Sequence, residues 1–199
     1  MKSLLLRSGL ALLCAMSLAS CGGNGAGSML LGGQVSGLTK SGLVLTNNGG
    51  EALIVPADTT TFQFPNLVAE NDSFDIEIQT QPTGAVCTVT SGNKNTANIY
   101  TVSATIITCN TNTYTLGGTV FGLDSLGLIL TNGNDVVSPL PPTTPGAPVD
   151  FQFPIKVADG APFGVSVLSQ PQSGKVCSVV NGTATMGSSS YLGLTVNCF

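Results

Sequence analysis

The chain has 199 residues, of which 42% are hydrophobic and 8% charged, with a net charge of −4 and no histidine. That apolar share excludes a disordered chain, and the shortage of basic residues excludes an electrostatic grip on nucleic acid. Without histidine there is no Ser-His-Asp or Cys-His nucleophile and no imidazole metal ligand.

Lys2 and Arg7 make the start positive, an apolar stretch follows to Leu18, and Ala19-Ser20 are small. Residues 1–20 thus have the three-part layout of a secretory signal peptide, too short and wrongly flanked for a lasting transmembrane helix. Cys21 comes next. The run Leu18-Ala19-Ser20-Cys21 resembles the lipobox of bacterial lipoproteins; the competing reading is an ordinary signal peptide cut near the same place. The resemblance implies cleavage before Cys21, acylation of that residue, and a membrane as partner. Gly22 in place of Asp implies sorting to the outer membrane. Each buried methylene contributes about 0.8 kcal/mol, so several acyl chains hold a protein nearly permanently. Residues 21–28, Cys-Gly-Gly-Asn-Gly-Ala-Gly-Ser, read as the lipidated residue and a flexible tether. After removal of 1–20, only Lys40, Lys94, Lys156 and Lys175 stand against ten acidic residues, a net −6. Attraction to anionic lipid heads is then absent, and the lipid itself must do the anchoring.

The remainder repeats itself. Leu31-Gly-Gly-Gln-Val-Ser-Gly-Leu38 matches Leu116-Gly-Gly-Thr-Val-Phe-Gly-Leu123, and Gly42-Leu-Val-Leu-Thr-Asn47 matches Gly127-Leu-Ile-Leu-Thr-Asn132. Phe62-Gln-Phe-Pro65, Gln81-Pro82, Val86-Cys87 and Cys109 return as Phe151-Gln-Phe-Pro154, Gln170-Pro171, Val176-Cys177 and Cys198. The offset grows from 85 to 89 or 90 within the Pro-rich stretch 138–148, an insertion in the second copy. A period of this size fits a small domain rather than a solenoid unit. The chain divides into 29–111 and 112–199, joined so closely that a stiff rod is expected.

Each copy has period-two patterning. Phe74-Asp-Ile-Glu-Ile78 and Phe163-Gly-Val-Ser-Val167 alternate, and 43–45, 60–64, 86–90 and 100–109 read as further strands. Asn47-Asn-Gly-Gly50, Asn132-Gly133, Pro82-Thr-Gly84 and Asn181-Gly182 read as turns. Six or seven short strands per copy predict an all-β fold of two tandem immunoglobulin-like β-sandwich domains. Strand order is not legible, and the chain has no Trp to mark a true immunoglobulin core.

Cys14 falls in the leader and Cys21 takes lipid. Cys87, Cys109, Cys177 and Cys198 remain, two per copy, and duplication selects Cys87–Cys109 and Cys177–Cys198 from three possible pairings. Export permits the bridges. Metal binding by these cysteines lacks the usual His or CxxC spacing.

Other chemistry is thin. Lys40-Ser41 has the residue types of a Ser-Lys dyad, but its counterpart holds Ser125 in place of the lysine. Glu70, Asp72, Asp75 and Glu77 are candidates for paired-carboxylate chemistry, yet Asp75 and Glu77 fall on the outward side of their strand and their counterparts are Gly164 and Ser166. Asn132-Gly-Asn-Asp135 offers oxygen ligands for calcium without a recognised loop spacing. Phe62 with Phe64, and Phe151 with Phe153, read as core rather than as a sugar-stacking platform. No catalytic residue, metal or cofactor is expected.

Taken together, the lipobox, the paired motifs and the closing cysteines resemble tandem repeats in proteobacterial-type surface lipoproteins of uncharacterised function. The resemblance brings no catalytic residues, and the expectation is a lipid-anchored, non-enzymatic envelope protein with a structural, spacer or protein-interaction role, its partner an envelope protein, or alternatively a carbohydrate-binding or adhesin module with a glycan as partner.

Overall fold

The computed structural model describes residues 27–199. The expected signal peptide (1–20), the expected lipidation site Cys21 and most of the expected tether (21–28) lie outside the described residues. The protein is all-β, with no helix among those residues. The first strands are β1 (Ser28–Ser36), β2 (Leu43–Asn47), β3 (Ala52–Val55), β4 (Thr61–Ala69), β5 (Ser73–Thr80), β6 (Ala85–Ser91), β7 (Lys94–Thr96) and β8 (Thr105–Thr111). They form two sheets ordered β4-β1-β8-β6 and β3-β2-β5-β7. Leu31, Val35, Phe62, Phe64 and Ile107 from one sheet pack against Leu43, Leu45, Val55, Phe74 and Ile76 from the other in a single buried cluster.

The remaining strands are β9 (Thr113–Tyr114), β10 (Leu116–Phe121), β11 (Ile129–Asn132), β12 (Asp135–Val137), β13 (Val149–Gln152), β14 (Val157–Ala158), β15 (Pro162–Ser169), β16 (Cys177–Val180), β17 (Thr183–Thr185) and β18 (Tyr191–Cys198). Their main sheets run β13-β10-β18-β16 and β12-β11-β15-β17, the same order as before, around a second core. The Pro-rich stretch 138–148 is the loop between β12 and β13.

In each set the first long strand lies between an antiparallel neighbour and the last strand, which runs parallel to it (β1 with β8, β10 with β18). Immunoglobulin constant domains instead set the first strand beside the second, so the likeness to that fold is one of sandwich architecture. The Gly-Gly pair explains how the central strand fits. A Cβ on Gly32 or Gly33 would run into the carbonyl oxygen of Phe62 or Thr105, and one on Gly117 or Gly118 into that of Phe151 or Leu194. The third motif glycine turns the chain out of the sheet with φ +71° at Gly37 and +75° at Gly122.

Two sequence readings change. Residues 100–109 are not one strand: 100–103 form a turn, and β8 starts at Thr105. Asn98 accepts the Tyr100 and Thr101 N–H groups on its side-chain oxygen, and the Thr101 and Val102 N–H groups reach its carbonyl. This local capping outweighs the β propensity of Ile99, Tyr100 and Val102. The strand expected over 60–64 continues through Pro65 to Ala69. Proline is tolerated because β4 is an edge strand, and the β1–β4 register shifts between Leu30 and Gly32.

Candidate functional site

The two bridges are Cys87–Cys109 and Cys177–Cys198. Each joins directly opposed residues of antiparallel neighbours, β6 with β8 and β16 with β18, at a Cα separation of 3.9 Å. Cys87 belongs to an edge strand, and its N–H and C=O point away from β8. The Gln81 side chain covers them. The Cys87 N–H donates to Gln81 Oε1 at 2.7 Å, and Gln81 Nε2 donates to the Cys87 carbonyl at 2.9 Å. Gln170 does the same for Cys177, at 2.7 and 3.1 Å. The repeated Gln-Pro…Cys motif is therefore an edge clasp: one primary amide replaces a missing strand at the residue that carries the bridge. The repetition was visible in the sequence, but this role was not.

The other sequence candidates occupy structural positions. Phe62 and Phe64 are buried and meet edge to face at 6.2 Å, as do Phe151 and Phe153 at 6.0 Å. Asp75 lies on β5 and takes Lys94 of β7 at 2.7 Å. Asp75's hydrogen bond, then its charge, hold the Lys94 ammonium above the usual lysine range. Glu77 is exposed on the same strand. Asp72 accepts the Ala69 N–H, and the Glu70 N–H donates to Gly27. These four acids line a turn and a strand rather than a cleft. In the stretch 132–135, Asn132 Oδ1 accepts the Gly164 N–H and Asp135 Oδ2 the Ile155 N–H, both at 2.9 Å, so these oxygens serve the fold. No group of three or more His, Cys, Asp or Glu side chains able to hold a metal occurs among the described residues.

Lys40 has a different use from the one considered in the sequence. It sits between β1 and β2, and its ammonium reaches the second strand set. Lys40 Nζ donates to the Asp159 carboxylate and to the Asp159 backbone carbonyl, both at 2.8 Å. Both side chains are largely covered. Around this pair the chain closes on itself. The Asn112 N–H donates to Gly84 O at 2.9 Å, the Asp159 N–H to Asn112 O at 2.8 Å, and the Thr39 and Thr111 hydroxyls meet at 3.0 Å. Gly84 is required here, because a Cβ there would lie 2.6 Å from the Asp159 carboxyl group. At the far end of the second set, Ser125 replaces Lys40 and accepts the Ser173 N–H from the β15–β16 loop of the same set. One signal pointed to the joint: Lys40 has no basic counterpart, whereas Asp159 corresponds to the acidic Glu70.

Compared with known proteins, the chain matches no family model and no curated protein.

Proposed function

We propose that this protein is an envelope lipoprotein, acylated on Cys21 and anchored in the outer membrane. It would present two immunoglobulin-like sandwich modules as a non-enzymatic spacer or protein-interaction element. One observation carries the reading. The lipobox-like run ends on Cys21, and the four cysteines that follow it are all consumed in bridges. Cys21 is thus the one cysteine after the leader left for another chemistry, and it stands where a lipoprotein is acylated. Bridges at these positions also suit an oxidising compartment.

The edge clasps fit a long-lived extracytoplasmic spacer, because they blunt sheet edges that would otherwise recruit other strands. The test is membrane fractionation with intact-mass analysis of the mature chain. The expected result is a diacylglyceryl-modified Cys21 in the outer-membrane fraction, and release by Cys21→Ser. An unacylated chain in the soluble periplasm would overturn the reading.

A glycan-binding or adhesin module is the second reading, favoured by one repeated feature. A shallow hollow of about 440 Å³ on the outer sheet face over Gly33, Thr61 and Gln63 recurs over Gly118, Asp150 and Gln152 at about 240 Å³. The phenylalanines beneath are buried, so neither hollow offers an exposed ring for stacking. A glycan array probed with the mature chain separates the readings, since the spacer reading expects no binding.

A further inference from the structure

The two strand sets match residue by residue. Ser28 opposite Ala69 and Met29 opposite Val68 return as Thr113 opposite Ala158 and Tyr114 opposite Val157. The Asn71 N–H donates to Ala97 O and the Ala97 N–H to Asp72 O; in the second set Gly160 donates to Met186 O and Met186 to Ala161 O. Through this register Leu30, Leu67, Ile99 and Tyr100 correspond to Thr115, Lys156, Ser188 and Ser189.

Those four residues of the first set gather at one end. Leu30 and Leu67 are cross-strand partners on β1 and β4. Ile99 and Tyr100 lie on the neighbouring turn, which is tied to β1 by the Gly32 N–H donating to Val102 O and to the 70–72 turn by the Asn71 bond. Leu30 and Leu67 are 55% exposed, Ile99 72% and Tyr100 82%. Single exposed apolar residues need no explanation, but a group of large ones at one end does. In the second set all four places are polar. At the equivalent end that set exposes Ile155 and Leu192 among its described large apolar residues, at the counterparts of Asn66 and Ser103, and the matching turn is Gly187-Ser-Ser-Ser190 with no aromatic. The difference follows position in the chain. The apolar end is the one where the described chain begins, with Glu70 N–H bonded to Gly27 O.

We propose that this end of the first strand set seats on the interfacial layer of the lipid bilayer, as a second contact beside the lipid on Cys21. The inference rests on the lipoprotein reading above. Cys21 and Gly27 are six residue steps apart, roughly 20 Å at full stretch, so an anchored chain keeps this end within reach of the headgroups. Tyrosine suits that layer, having an apolar ring and a polar tip. Leucine and isoleucine bury at the headgroup–acyl boundary. Glu70 and Asp72 stand at the same end and are repelled by anionic heads, so the surface fits zwitterionic lipid. The contact orients the protein; the acyl chains hold it.

The chain contains no Trp, so Tyr100→Trp creates a unique fluorophore on an exposed turn, and Ser189→Trp places the same probe at the equivalent site of the second set. Each acylated full-length variant is reconstituted into phosphatidylcholine vesicles with brominated acyl chains, after flotation and intact mass confirm the anchor. The expected result is a blue shift and loss of emission for Tyr100→Trp and neither for Ser189→Trp. A floating, acylated protein in which both probes emit as in water, or both are quenched alike, overturns the docking and leaves the anchor standing. A chain that carries no acyl group overturns the anchor and the docking with it.

Discussion

Lys40 and Asp159, 119 residues apart in sequence, meet at 2.8 Å across the junction between the two strand sets. The lysine grips both the carboxylate and the carbonyl of the same residue. A flexible join would leave such a lysine in solvent. Here it joins the Gly84–Asn112–Asp159 backbone bonds and makes the junction a packed contact.

Lys40→Ala is expected to loosen that contact. Losing two charge-assisted hydrogen bonds at a partly covered site costs roughly 1–2 kcal/mol after discounting for solvent screening. The first readout is NMR relaxation, with one rotational correlation time for the parent and two distinct times for the variant. Identical relaxation in both proteins would show that the ion pair does not set the junction.

Gln81→Ala and Gln170→Ala each remove the clasp from a bridged cysteine. Two neutral hydrogen bonds are lost on a strand edge, for a cost of about 1–2 kcal/mol each by urea unfolding with bridges intact. Gln81→Glu is the sharper variant, because a carboxylate still accepts the Cys87 N–H but cannot donate to its carbonyl. If all three variants unfold like the parent, water replaces the clasp without loss.

The glycine motif predicts a contrast. Gly118→Ala pushes a methyl group against the Leu194 backbone and is expected to destabilise by about 1–3 kcal/mol through overpacking. At Gly187 a new Cβ meets nothing within 4 Å and the backbone angle is ordinary, so Gly187→Ala should be neutral or slightly stabilising. Equal unfolding midpoints for the two variants would contradict the role assigned to Gly-Gly.

Asp124 supplies a pH test. The Ser173 side chain, and to a smaller degree Lys175 at 3.4 Å, hold its carboxyl below the usual carboxylate range. A lowered folded-state pKa contributes stability above the unfolded value, and that contribution is lost as pH falls through the folded one. Ser173→Ala should therefore raise the Asp124 midpoint in a ¹³C carboxyl titration and shift the acid loss of this contribution to higher pH. An unmoved midpoint would show that the Ser173 side chain does not lower the Asp124 carboxyl.

Much of this architecture was legible before folding was considered. The all-β class came from period-two runs such as 74–78, the core faces from Phe62 and Phe64, and the bridges from duplicated cysteines. The turn at 47–50 was marked by Asn-Gly, and Asn48 and Gly49 indeed take positive φ, 51° and 65°. Residues 100–109 misled, because three β-forming side chains concealed the capping potential of Asn98. These signals are local or duplicated, and local backbone preference or simple repetition is enough to carry them.

Amino-acid order alone determined that this chain forms paired, cystine-stapled sheets, because alternation and cysteine count act through nearest neighbours and parity. Only the tertiary structure decided that β1 lies parallel to β8, that a glutamine amide completes the strand edge at each bridge, and that Lys40 belongs to Asp159. Those choices depend on which backbone oxygens and charges come within 3 Å once distant segments pack, and no short window of sequence contains both partners.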